Sequence, residues 1–126
     1  MLREFLKSKI HRATVTQSNL HYSGSLTIDE DLLDKSGILP NEHIRVYNIH
    51  TGQRFETYVI KGERGSGEIV LNGAAARKGA PGDLLIIVAY CYLSEEEISS
   101  HSARIVILGK DNVVEEVIDS PNVSKK

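Results

Sequence analysis

The chain has 126 residues, 40% of them hydrophobic, and a formal net charge of -2 from 15 basic and 17 acidic side chains. That describes a single globular domain over residues 1–126 with a core of its own, and it excludes a disordered segment. It provides no general drive toward nucleic acid or an anionic membrane, and two Phe, five Tyr and no Trp leave few platforms for stacking on bases.

In chain order, Met1 to Lys7 breaks its apolar residues with charge and has no signal-peptide core. Lys9 to Thr16, β-branched and partly alternating, predicts the first strand. Gly24-Ser25 reads as a loop, followed by a capping box, Thr27-Ile28-Asp29-Glu30, with Thr27 as N-cap. The helix it opens stops at Gly37. His43 to Ile49 alternates as a strand, Thr51-Gly52 turns, and Arg54 to Ile60 pairs back as a hairpin. Glu68 to Leu71 is a further strand, and Ala74 to Arg77 one helical turn. Leu84 to Tyr92 is the longest apolar run, far short of the roughly 20 residues that span a bilayer. Ser94-Glu95-Glu96-Glu97 is a second capping box with a short helix behind it. Ala103 to Leu108 and Val113 to Ile118 form a last hairpin around Gly109-Lys110-Asp111-Asn112. Ser120 to Lys126 is polar and expected to fray.

The fold expected from this pattern is mainly β, with a few short helices. Leu39-Pro40-Asn41-Glu42-His43-Ile44-Arg45-Val46 echoes Ala80-Pro81-Gly82-Asp83-Leu84-Leu85-Ile86-Ile87. Two readings of that echo stand: two related halves of one barrel, or two strand entries that share turn chemistry. The single cysteine, Cys91, excludes an internal disulfide and reads as a small core residue. The five histidines have no metal-ligand spacing, Glu63-Arg64-Gly65-Ser66-Gly67 lacks a Walker lysine, and no nucleophile-elbow motif is present. A cytoplasmic protein is expected.

One constellation stands out around Gly24-Ser25: Lys9-Ile10-His11-Arg12, His21-Tyr22, Arg54-Phe55-Glu56-Thr57-Tyr58 and Asn72-Gly73-Ala74-Ala75-Ala76. Together, in this order, they resemble the pyruvoyl-dependent aspartate alpha-decarboxylases. The match runs from Lys9 to Ala76, with a fainter echo at Pro81-Gly82-Asp83. The resemblance implies a double-psi β-barrel. It implies a proenzyme that cuts itself between Gly24 and Ser25 into residues 1–24 and 25–126, Ser25 becoming a pyruvoyl group. No metal and no pyridoxal phosphate are implied. The reaction implied is decarboxylation of L-aspartate to beta-alanine and carbon dioxide, feeding pantothenate and coenzyme A synthesis. The assembly implied is a homotetramer with active sites between subunits, and some members need an accessory protein to mature.

The roles implied follow the chemistry. Loss of carbon dioxide leaves a carbanion that needs an electron sink, and a carbonyl joined to the substrate amine as a Schiff base provides one. Ser25 is the implied source of that carbonyl. Glycine at position 24 leaves its carbonyl open to attack, and Thr57, His11 and Asn72 assist the processing site. Lys9 and Arg54 hold the two carboxylates, a mobile charge and a planar fork. Tyr58 shares a strand face with Arg54 and is the implied proton donor. Thr57, Asn72 and the small residues Gly73, Ala74 and Ala75 wall the pocket. The family often has Trp where this chain has Tyr47, so that wall differs here.

Without the resemblance each element has a plainer reading. Lys9, His11 and Arg12 suit the solvated face of an edge strand, Arg54 and Tyr58 an exposed strand face, and Asn72-Gly73 a turn. The rival function is a non-catalytic β-barrel that binds a ligand or partner and stays uncleaved.

Overall fold

The computed structural model describes residues 1–123, and strands dominate it. They are β1 (Leu2–Thr14), β2 (Gln17–Asn19), β3 (Ser25–Asp29), β4 (His43–Asn48), β5 (Arg54–Gly62), β6 (Ile69–Asn72), β7 (Leu84–Ser94), β8 (Ser102–Leu108) and β9 (Val114–Pro121). Helices are short: α1 (Glu30–Ser36), α2 (Glu95–Ile98) and 3-10 turns over Gly73–Lys78 and Lys110–Asn112.

The hydrogen-bonded order is β2-β6-β3-β5-β4-β7-β1-β8-β9. β2 opens this order and β1 stands near its other end, yet the two are consecutive in the chain. Their junction is bonded as well: Thr16 N donates to Ile69 O at 2.9 Å, and Ile69 N donates to Thr16 Oγ1 at 3.0 Å. The sheet therefore returns on itself through Val15–Thr16 and makes a barrel, with β8 and β9 extending from β1 to leave β9 as an edge. Alternate side chains fill it. Ile10, Val15, Leu26, Ile28, Ile44, Val46, Val59, Ile69, Leu71, Leu85, Ile87 and Val106 are buried, each contributing about 1.5–3 kcal/mol.

Of the two readings of the internal echo, the structure supports related halves. Val46 and Ile87, equivalent in the repeat, face each other in the β4–β7 pairing. Arg45 pairs with Val88 and Tyr47 with Ile86, so the pairing maps onto itself when the copies are exchanged. The entry loops match bond for bond. Asn41 N donates to Val59 O and Val59 N to Glu42 O; Gly82 N donates to Val15 O and Val15 N to Asp83 O. Leu39 N donates to Glu42 Oε1 and Ala80 N to Asp83 Oδ2, each at 3.0 Å. Asn41 and Gly82 both take the left-handed conformation this turn requires, with φ of 70° and 93°.

Several expectations are corrected. Thr27 is not a helix cap: it lies in β3, and Asp29 is the N-cap, its Oδ1 accepting from Asp31 N at 2.8 Å. The cause is tertiary, since Ser25–Asp29 is claimed by pairing with β5 on one side and β6 on the other. The short β2 went unread because three residues carry no period. β1 begins at Leu2 rather than Lys9, because β7 supplies partners from Ser94 inward and outweighs the charged side chains. Val113 belongs to the turn, and Ser120 and Pro121 extend β9 opposite Ala103 and Ser102 rather than fraying. Residues 124–126 lie outside the described residues. Cys91 is half-buried on β7 opposite Phe5, and burial pushes its thiol pKa up. The remaining signals hold: Gly37 closes α1 at φ 76°, and Ser94 N donates to Glu97 Oε1 at 2.9 Å ahead of α2. No helix among the described residues is long and apolar enough to cross a membrane.

Candidate active site

β3 begins at Ser25 and runs antiparallel to β6, which places Ser25 directly opposite Asn72. Leu26 and Ile28 point into the core, so Ser25 and Thr27 share the other face. Asn72 reaches across that face and donates from one amide nitrogen to both hydroxyls, Ser25 Oγ at 3.0 Å and Thr27 Oγ1 at 2.8 Å. Ser25 Oγ donates its own proton to Ser23 O at 3.2 Å. Ser25 and Asn72 are buried, whereas Gly24, one residue earlier, is exposed. The Gly24–Ser25 peptide thus lies where an exposed loop enters a buried strand.

The wall beside it is made of backbone. Gly73 has φ 59°, and a Cβ there would sit 2.7 Å from Gly24 Cα, Gly24 N and Tyr22 O. Only glycine fits this approach. Ala74 follows, its amide nitrogen 4.0 Å from where a Gly24 Cβ would stand, and Ala75 is buried in the 3-10 turn. Asn72 precedes that turn without capping it, because its side chain is committed to Ser25 and Thr27. A cleft of about 300 Å³ opens beside Thr27 and Asn72.

Tyr58 comes from the neighbouring strand. The parallel β3–β5 pairing sets Leu26 beside Val59, so Tyr58 stands level with Ser25. Its side chain is 39% exposed. Arg54 is on the same face of β5, with its guanidinium 4.5 Å from the ring centre of Tyr47, a cation–π stack. Tyr47 and Tyr90 share a hydroxyl hydrogen bond at 3.3 Å, which fixes that ring. Thr57 faces the other way, on the side of Phe55 and Val59, and is half-buried.

Lys9 and His11 lie on β1, which pairs with β7 and β8 and not with β3. Arg12 bulges there at φ 66°, keeping Lys9 and His11 on one face while Ala13 returns to the core. His11 Nδ1 is buried without a partner among the described residues. Burial first, then the charges of Lys9 and Arg12, hold its pKa below the usual histidine range.

One chain therefore brings together Gly24, Ser25, Asn72, Gly73 and Ala74, with Tyr58 alongside. Lys9 and His11 stand on β1, which does not pair with β3, and Arg54 lies at the far end of β5, four residues before Tyr58. Thr27 is the residue that sequence reading missed. Its signal, a hydroxyl two positions from Ser25 on the same strand face, was hidden by its equal fit to a capping box. A larger hollow, about 870 Å³, is lined by Asp29, Asp31, Asp34 and Asp111. Its charge is wrong for a dicarboxylate, and its Arg64 is already paired with Asp31 at 2.6 Å and Asp34 at 2.7 Å.

Comparison with known proteins fits this geometry. A family model described as aspartate decarboxylase matches residues 1–115. A protein of Caldicellulosiruptor saccharolyticus named aspartate 1-decarboxylase is 60% identical over 114 residues, 90% of this chain and 89% of that one. Proteins of the same name from Bacillus pumilus and Desulfotalea psychrophila are 56% and 55% identical over 118 residues, 94% of this chain and 93% and 99% of theirs. With its hydroxyl-bearing strand start, glycine wall and tyrosine in place, the chain belongs to the aspartate decarboxylase family.

Proposed function

We propose that the protein cuts itself between Gly24 and Ser25 and then decarboxylates L-aspartate to beta-alanine and carbon dioxide, in support of pantothenate synthesis. The observation that carries this reading is the buried Ser25 hydroxyl held by Asn72 at the edge of an exposed glycine, with Gly73 pressed against that glycine. Ser25 Oγ accepts one N–H and donates one proton, which leaves a lone pair to attack the Gly24 carbonyl carbon. The Oγ–C bond forms, the C–N bond breaks, and the hydroxyl proton passes to the Ser25 nitrogen. Loss of the Ser25 Cα proton then breaks the Cβ–Oγ bond and releases Gly24 as a carboxylate. Water replaces the nitrogen, which leaves as ammonia, and a pyruvoyl group remains at the head of residues 25–126.

The residues present fit such a group: the strand start is buried, and small side chains and glycine backbone surround it. The group supplies an electron sink for the carbanion left when carbon dioxide departs. Arg54 and Lys9 bind the two carboxylates, and the Tyr47 ring presents the Arg54 fork in one plane. Tyr58 holds the proton that returns to carbon. Arg54 and Tyr58 are exposed, and Lys9 stands on a strand separated from theirs by β4 and β7. That separation supports an active site completed by a second subunit in a homotetramer. The longest apolar run is used up by barrel strand β7, in keeping with a cytoplasmic enzyme.

The test is an intact-mass spectrum of the purified, denatured protein. Two species are expected, residues 1–24 and a 25–126 piece lighter than encoded by the change from serine to pyruvoyl. Ser25→Ala should remain one full-length, inactive chain. A wild-type chain that stays whole after prolonged warming, with no release of carbon dioxide from aspartate, would favour the uncleaved binding module.

A further inference from the structure

We propose that Thr27 is a positioning residue for chain cleavage: its hydroxyl fixes the amide of Asn72 so that an N–H, and not the carbonyl oxygen, faces Ser25 Oγ. This rests on the self-cleavage reading above and adds to it a residue outside the constellation that suggested that reading. A primary amide has two donor hydrogens on one side and an acceptor on the other. With the Ser25 proton committed to Ser23 O at 3.2 Å, Ser25 Oγ can meet Asn72 only as an acceptor. Asn72 must then present nitrogen, and the second hydrogen on that nitrogen needs an acceptor too. Thr27 Oγ1, at 2.8 Å, provides it.

The site leaves little choice. Asn72 is 2% exposed, so an unpaired N–H there cannot turn to solvent. Thr27 is fixed by its place in β3, paired with Val70 on one side and Ile60 on the other. Its methyl group packs near Gly62, where an added Cβ would lie 3.0 Å away, and this holds the hydroxyl toward Asn72. Without that hydroxyl the favourable response is an amide flip. The Asn72 carbonyl oxygen would then draw the Ser25 proton away from Ser23 and face the oxygen that must attack. The donor would also be lost when Oγ leaves as part of the Gly24 carboxylate, the step at which an N–H on that oxygen stabilises developing charge.

The experiment follows cleavage by intact mass over time in freshly purified full-length wild type, Thr27→Val, Thr27→Ser, Asn72→Ala and the Thr27→Val/Asn72→Ala double variant. Thermal unfolding is recorded for each uncleaved species. Thr27→Val is expected to slow cleavage at least about tenfold, the scale of one buried donor left without its partner. Thr27→Ser restores the hydroxyl and should cleave within about threefold of wild type. In the Asn72→Ala background, Thr27→Val should add nothing further, because the two act as one unit. Cleavage of Thr27→Val at the wild-type rate would overturn the inference alone. So would slowing in both Thr27 variants with a matching loss of thermal stability, or a full additional effect in the double variant. A wild-type chain that never cleaves would instead overturn the reading on which the inference rests.

Discussion

Tyr58 and His11 show how differently single residues read at this site. Tyr58 is exposed and level with Ser25, so its phenol can meet a substrate without being needed to hold the barrel. Tyr58→Phe is expected to mature normally by mass while kcat falls about 100-fold or more, the scale of losing a general acid; steady-state kinetics on the cleaved protein checks this. His11 has a buried Nδ1 with no partner among the described residues and a pKa held low by burial and by Lys9 and Arg12. The unfolded chain therefore takes up a proton at higher pH than the native one. Above the unfolded histidine pKa this costs nothing, and as pH falls through and below it native stability drops. His11→Gln should flatten that acid-side fall in a series of melts between pH 7 and pH 5. Ser25, Asn72 and Tyr58 were legible because motif order singles them out. Thr27 was not, because Thr-x-x-Glu fits a helix start and a strand equally, and only the pairing with β5 and β6 decides.

Among the elements, the passage from β3 to α1 carries the most chemistry per residue. Asp29 closes the strand, caps the helix and holds a distant loop. Its Oδ1 accepts from Asp31 N at 2.8 Å and Gly65 N at 3.0 Å, and its Oδ2 from Gly67 N at 2.7 Å. Asp29→Ala removes three charge-assisted bonds from a buried position and is expected to cost about 2–5 kcal/mol in denaturant unfolding of the uncleaved Ser25→Ala chain. The Glu63-Arg64-Gly65-Ser66-Gly67 segment is thus a structural brace and not a phosphate loop. Alternation revealed β4, which keeps one face on the core, the Thr51-Gly52 turn revealed β5, and a continuous apolar run revealed β7. β2 and β3 were invisible because their pairing partners are distant in sequence, and the hydroxyls of Ser25 and Thr27 are there to meet Asn72 of β6.

At the scale of the whole molecule, closure depends on one stretch of chain. β1 lies between β7 and β8, β2 continues from it onto β6, and Ile10, Ala13 and Val15 are buried in the core between them. The Pro-turn-acid echo left two related halves as one of two readings, and its bonds are reproduced in both copies. What the echo could not reveal is that this closing stretch comes from the first residues, because nothing local in Leu2–Asn19 marks it as the seam.

The cleavage proposed at Gly24 would change the status of that seam. The piece that closes the barrel would become a separate peptide, held only by pairing and burial. The mature protein would then be a complex, and its assembly a problem of two molecules finding each other. Residues 25–126, separated from residues 1–24 in denaturant, should fail to regain native circular dichroism on dilution and should recover it when the peptide is returned. Ser25→Ala, still one chain, should refold unaided. On that proposal folding precedes cutting: an intact proenzyme would be the form that can find the fold, and a cut enzyme the form that can only keep it.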